Sequence, residues 1–255
     1  LYLATGRESG GSGRPPGSTF KTFALAEAVR EGYSIRSVLQ SPTNLEISEP
    51  QCTNGGDVWK VRGGPGGASS LVTATKNSIN TVFAQLMVRL GPQAVADLAM
   101  DMGVSSLADQ QVQCSWVLGS GEVSVMDMAA AYSTLANEGV AKSPLVVTRV
   151  EFPDGSVRTY EATEKQVLTP EQAARVTYSL EQVIQGGTGR EANFGRPAAG
   201  KTGTTQNNAD GWFVGYTPEL TAAVWMGFHE GQIPMRNVHG MSVQGGNFPA
   251  RIWNR

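Results

Sequence analysis

The spacing of apolar residues changes period part-way along this chain, and that change restricts its fold more than any other feature. Phe20, Phe23, Ala24, Ala28 and Val29 keep helical spacing until Gly32. A second helical run is predicted over about 69–90, with Ile79, Val82, Phe83, Leu86 and Leu90 on one face, broken by Gly91-Pro92. A short helix to about Met102 and another from about Ser124 to Glu138 follow, whereas residues 40–68, rich in Pro and Gly, read mostly as loop. Beyond Leu145 the pattern becomes strand-like. Leu145–Phe152 and Ser156–Tyr160 flank Pro153-Asp154-Gly155 as a hairpin. Thr169-Pro170-Glu171-Gln172 supplies an N-cap, a proline at the first helical position and a capping-box Gln. The helix that this starts runs to about Gln185 and ends at the Gly-rich QGGTG. Three strand-like runs close the chain, at about 198–204, 211–216 and 220–228. The expected fold is therefore α/β: an irregular lead-in over 1–17, a mostly helical lobe over about 18–139, and a sheet-rich part over about 140–255.

Composition removes several classes of function. The 20 basic and 22 acidic residues give a net charge of −2 with no basic stripe, so no nucleic-acid partner is expected. No apolar run approaches the roughly 18 residues of a membrane span. The chain starts at Leu1 without an initiator Met or signal sequence and reads as an excised piece, so any membrane anchor is expected outside it. Two histidines and two cysteines, with no CxxC or Cys/His cluster, make a metal site unexpected, and no cofactor motif is accepted. Cys52 and Cys114 are either a disulfide across 62 residues or two buried thiols. The bond would imply an oxidising compartment.

Three short patterns carry chemistry. Ser18-Thr19-Phe20-Lys21 follows Pro15-Pro16-Gly17, which places Ser18 at a helix N-terminus and Lys21 one turn later on the same face. A serine hydroxyl needs a neighbour to take its proton, and an unprotonated lysine can do so. Chance alone yields roughly 0.5 such S-x-x-K pairs in this composition. Ser78-Ile79-Asn80 pairs a hydroxyl able to pass a proton with an amide able to hold a peptide group. About 0.9 such matches arise by chance, and a helix or turn boundary with local hydrogen bonds is its bland reading. Lys201-Thr202-Gly203-Thr204 is sharper, since K-T-G has a chance expectation of roughly 0.06. On a strand, Lys201 and Gly203 point one way and Thr202 and Thr204 the other, and a strand glycine often marks close approach by a ligand.

The ordered set S-x-x-K, S-x-N, K-T-G is shared by β-lactamases and penicillin-binding proteins, here with Ile79 between Ser78 and Asn80. Together with GRPPGSTFK, NSINTVFAQL, GKTGTT, DGWFVGYTPEL and GGNFPARIW, it makes nearly the whole chain resemble the transpeptidase domain of class A (bifunctional) penicillin-binding proteins. The resemblance implies the penicillin-recognising, β-lactamase-like fold, an antiparallel sheet flanked by helices. It implies a serine D-Ala-D-Ala transpeptidase that cross-links peptidoglycan stem peptides and is acylated by β-lactams, on the extracytoplasmic face of a bacterial membrane. By the same match Ser18 is the nucleophile, Lys21 the base, Ser78 a proton relay and Asn80 a peptide-backbone anchor. Thr202, Gly203 and Thr204 bind the terminal carboxylate with Lys201 supplying charge, and the N–H groups of Ser18 and Thr204 form the oxyanion hole. For Lys21 to act as a base its pKa must be lowered, by burial or by Lys201.

Other readings of these residues remain. A D-Ala-D-Ala carboxypeptidase or a noncatalytic β-lactam-binding module would carry the same motifs. No Glu between Ser78 and Lys201 has Asn four residues on, so rapid β-lactam hydrolysis of the class A β-lactamase kind is not expected. Residues 195–202 also satisfy the phosphate-loop pattern G-x-x-x-x-G-K-[ST], which demands a buried strand before it and a helix after it. Neither is predicted. In the family two sheet strands precede the S-x-x-K helix; with about 17 residues before Ser18 they are expected to be absent, leaving the strand at about 220–228 with an unpaired edge.

Overall fold

The computed structural model describes residues 4–5, 13–53, 55–56 and 58–255. Most of the lead-in therefore lies outside the described residues; Arg14, within them, pairs with Val123 as an isolated β-bridge. A single 3-10 turn, Gly17–Phe20, runs directly into α1 (Lys21–Arg30). Every residue of α1 from Lys21 to Val29 is buried, so it is an interior helix rather than an amphipathic one.

The stretch expected to be mostly loop contains two short strands, β2 (Asn44–Ile47) and β3 (Trp59–Arg62), and two more flank it, β1 (Val38–Gln40) and β4 (Ala68–Ser70), the last at the start of the predicted 69–90 helix. β1 pairs with β4, and β2 with β3 as an antiparallel ribbon in register Leu45↔Val61. Strands of three or four residues are too short to show a period, which is why the sequence pattern missed them. The single helix expected over 69–90 is two helices, α2 (Leu71–Lys76) and α3 (Asn80–Leu90). Between them Asn77 caps α2, and Ser78 adopts a left-handed φ of 57°. Asn and Ser accept such backbone more readily than apolar residues do. Leu71, Ala74, Ile79 and Val82 nevertheless all reach the same core, so the apolar spacing conceals the break.

α4 (Pro92–Asp101) starts at the predicted Gly91-Pro92 junction, and α5 (Val125–Ala136) is capped by the Ser124 hydroxyl, which accepts from Asp127 N at 3.0 Å. Two small antiparallel pairs follow. β5 (Val140–Lys142) pairs with a later strand; β6 (Arg149–Glu151) and β7 (Val157–Thr159) form the predicted hairpin, closed by Phe152–Ser156; and β8 (Glu164–Gln166) is the partner of β5. α6 (Pro170–Gly186) begins with a complete capping box: Thr169 Oγ1 accepts from Gln172 N, and the Gln172 side chain accepts from Thr169 N.

The three predicted C-terminal strands are β9 (Ala199–Thr204), β10 (Asp210–Tyr216) and β11 (Thr221–Gly227), in the spatial order β11-β10-β9 and all antiparallel. α7 (Phe248–Trp253) ends the chain's regular structure. The central strand β10 is buried on both faces. Trp212, Val214 and Tyr216 belong to the main core with α1, α3, α5 and α6, while Phe213 packs with Ala198, Ala250 and Trp253 on the other side. The architecture is thus α/β, with an antiparallel sheet between helices and a helical lobe beside it. The phosphate-loop pattern does not survive, because Lys201 and Thr202 lie inside β9 and no helix opens at them.

Thr169→Ala removes one half of the capping box on an exposed helix end and is expected to cost about 1 kcal/mol. A thermal melt should show the midpoint falling by about 2–4 °C, with Thr169→Ser close to the parent.

Candidate active site

The three sequence patterns lie on separate elements and meet in one place. Ser18 is in the 3-10 turn before α1, Lys21 is the first residue of α1, Ser78 is in the α2–α3 break, Asn80 opens α3, and Lys201 is in the middle of β9. Lys21 Nζ donates to Ser78 O at 2.7 Å, Ser78 Oγ at 3.2 Å and Asn80 Oδ1 at 2.6 Å. Lys201 Nζ donates to the same hydroxyl, 3.0 Å from Ser78 Oγ, and to Thr202 O at 3.1 Å. Both lysines are 0% exposed. The left-handed turn at Ser78 is what brings its carbonyl and hydroxyl together onto Lys21.

Burial dominates the electrostatics. It brings the Lys201 ammonium down to about 7. Burial first, and the positive charge of Lys201 second, hold Lys21 well below the usual lysine range. A lysine in this setting can lose its proton near neutral pH and act as a base.

The turn that carries Ser18 is held rigidly. Trp212 Nε1 donates to Pro15 O at 2.9 Å, Thr19 Oγ1 to Pro16 O at 2.8 Å, and the buried Tyr132 hydroxyl to Thr19 O at 2.8 Å. Gly203 faces this turn from β9. A Cβ there would lie 2.1 Å from Pro16 O and 3.0 Å from Thr19 Cγ2. The glycine of K-T-G therefore makes room for the chain's own Pro16 carbonyl, where the sequence reading had put a ligand.

On β9, Thr205 N donates to Asp210 O, so the ladder alternation turns the N–H of Thr204 away from β10 to the strand's free edge. That edge faces Gly17, whose added Cβ would lie 2.8 Å from Thr204 N. Ser18 and Thr204 together line two arms of a cleft. One arm, about 460 Å³, is bounded by Ser78, Thr188, Thr202, Gln244, Gly246 and Asn247. The other, about 450 Å³, is bounded by Trp59, Lys60 and Asn80 on one side and Ser115, Leu118 and Ser120 on the other.

Two contributors had no signal that named them. The Thr188 hydroxyl, from the Gly-rich loop after α6, lies 2.7 Å from Thr202 Oγ1. Gly245 N donates to Thr204 Oγ1 at 3.0 Å, so the GGNFPARIW segment orients a threonine of the cleft through main chain. Among the described residues no group of three or more His, Cys, Asp or Glu side chains is placed to hold a metal ion.

Comparison with known proteins agrees with this geometry. The family model described as the penicillin binding protein transpeptidase domain matches residues 11–235. The chain belongs to the penicillin-binding protein transpeptidase family. Penicillin-binding protein 1A of Mycolicibacterium smegmatis is 35% identical over 98% of this chain and 34% of its own length. The protein of the same name from Mycobacterium tuberculosis is 33% identical over 98% of this chain and 32% of its own. This transpeptidase-family chain thus spans about a third of those relatives. Among solved structures, that of the PonA1 protein from Mycobacterium tuberculosis in complex with penicillin V superimposes with a TM-score of 0.83 at 33% identity, covering 95% of this chain and 68% of that one. The resemblance to a class A transpeptidase domain, drawn from the motifs, and the fold it implied both hold.

The buried lysines have a consequence for stability. Lys201 has a folded pKa of about 7 and an unfolded one in the ordinary lysine range, so between these values the unfolded chain binds more protons. Lys21 shifts in the same direction. Stability to urea should therefore rise with pH from about 7 towards about 10, and Lys201→Met should flatten the slope. Above about pH 10 the buried Tyr132 and Tyr216 phenols, pushed upward by burial, reverse the sign. An unfolding midpoint that falls between about pH 7 and 9 would contradict the two buried lysines.

Proposed function

We propose that this chain is a serine D-Ala-D-Ala transpeptidase that cross-links peptidoglycan stem peptides through an acyl-enzyme on Ser18. The observation that carries the reading is the single Ser78 hydroxyl held between two buried lysines, in a cleft whose two arms both include Ser18.

The proposed steps are these. Neutral Lys21 takes the Ser18 proton as the oxygen attacks the carbonyl of the penultimate D-Ala. The N–H groups of Ser18 and Thr204 receive the resulting oxyanion. The C–N bond breaks, and Ser78, supplied through its contacts with Lys21 and Lys201, passes a proton to the departing D-Ala amine. An amine from a neighbouring stem peptide then attacks the ester and restores the Ser18 hydroxyl. Thr202 and Thr204 hold the terminal carboxylate, and Lys201 contributes its positive charge when protonated. Gly203 shapes the strand without touching substrate. Asn80, which accepts from Lys21 and donates to Arg62 O at 3.0 Å, lines the arm beside Ser18, where its amide meets the donor's peptide group.

This assigns the two arms. The carboxylate and leaving D-Ala occupy the arm with Thr188, Thr202 and Asn247, so the rest of the donor peptide, on the other side of the scissile bond, leaves through the arm with Trp59 and Ser115. β-Lactams enter the same way, a reading supported by the complex of the related PonA1 protein with penicillin V. The bond between Cys52 and Cys114 fits a reaction on the extracytoplasmic side of the membrane. No helix among the described residues is long and apolar enough to cross a membrane.

Incubation with benzylpenicillin followed by intact mass measurement tests the proposal. The parent should carry one stable adduct and Ser18→Ala none. Lys21→Ala should fold but acylate about 10²–10⁴-fold more slowly. A folded parent without an adduct would overturn the acyl-transfer reading. With a D-amino acid amide and a stem-peptide donor present, the transpeptidase forms an exchanged amide, whereas a carboxypeptidase releases only free acid.

A further inference from the structure

The donor arm is built from two walls of different rigidity, and a covalent bond joins them. One wall is the 3-10 segment Cys114–Leu118 with Ser120 beyond it. It is fastened to the nucleophile turn: a Cβ on Gly119 would lie 2.1 Å from Gly17 N, and Trp116 meets Phe20 edge-on with ring centroids 6.1 Å apart. The opposite wall is the start of β3, with Trp59 and Lys60. β3 pairs with β2 in a two-stranded ribbon whose Ile47 and Val61 reach the main core, while Trp59 at the start of β3 is only partly buried against it.

That ribbon is tied at both ends. At the far end of β3, Arg62 O accepts from Asn80 Nδ2 at 3.0 Å. At the near end, Cys52, in the turn between β2 and β3, is bonded to Cys114, the first residue of the opposite wall, with 5.1 Å between the Cα atoms. Cys52 is also buried in the main core, and Gln51 Nε2 makes a long contact with Val88 O at 3.4 Å.

From this we infer that the Cys52–Cys114 bond is a positioning element for the acyl donor. It sets the separation of Trp59 and Lys60 from Ser115 and Ser120, and so selects for donors with a long acyl side chain. The chemistry at Ser18, which belongs to other elements, does not depend on it. The inference rests on the acyl-transfer reading above and adds a determinant of donor choice to it.

The test compares second-order acylation rates of two ligands sharing one nucleus: benzylpenicillin, whose phenylacetyl group must occupy the donor arm, and 6-aminopenicillanic acid, which has no acyl side chain. Two double variants are used, Cys52→Ala with Cys114→Val, which keeps both sites apolar, and Cys52→Ser with Cys114→Ser. Acylation by benzylpenicillin should fall about tenfold while that by 6-aminopenicillanic acid stays within about twofold of the parent. Equal rates for parent and variants with both ligands would overturn the inference. So would equal losses with both, which would make the bond a support of the whole fold. A folded parent that neither ligand acylates would remove the acyl-transfer reading itself, and this inference with it.

Discussion

Two lysine amines, both 0% exposed, meet on one hydroxyl; burial disfavours the charge on each, and the architecture around Ser78 follows from that conflict. Lys21 has three acceptors, matching the three hydrogens of a protonated amine. When it loses a proton it keeps two, so one contact must give way and a lone pair becomes available. That lone pair lies on the first residue of a helix whose residues from Lys21 to Val29 are all buried. Burial lowers the pKa of Lys21, and the second lysine deepens the effect.

Holding such a pair requires unusual backbone nearby. Ser78 sits in left-handed backbone that costs a non-glycine residue on the order of 1–3 kcal/mol. The cost is met because α2 and α3 on either side are anchored by Leu71, Ala74, Ile79 and Val82 in one core. The strained residue is therefore the one whose hydroxyl both lysines share. The stability of two ordinary helices maintains a geometry that neither would adopt alone.

Much of this was legible in the sequence where a side chain carries the signal. The alternation of Lys201, Thr202, Gly203 and Thr204 identified the strand and its two faces, and Thr169 to Gln172 marked a helix start that the structure reproduces hydrogen bond for hydrogen bond. What was not legible depends on main chain or on distance along the chain. The N–H of Gly245 on Thr204 leaves no trace in residue type. The ribbon β2–β3 is too short for periodicity, and the break at Asn77–Ile79 is masked because both flanking helices point apolar residues the same way. A separation of 62 residues left two states open for Cys52 and Cys114; only the fold brings their Cα atoms within 5.1 Å. At Gly203 the strand glycine does mark a close approach, and the group that approaches in the structure is the Pro16 carbonyl.

That contact divides the cleft into two kinds of surface. The Ser18 turn and the K-T-G strand touch through Pro16 O and the Gly203 backbone, with Gly17 and Gly119 stacked behind. The contact between the two is thus made by peptide groups, and glycine at these positions is what lets them approach. The sides are made of ordinary side chains on short segments, among them Trp59, Lys60 and Gln232. A substitution on those sides changes what the cleft admits while leaving the spacing between the Ser18 turn and the K-T-G strand as it is.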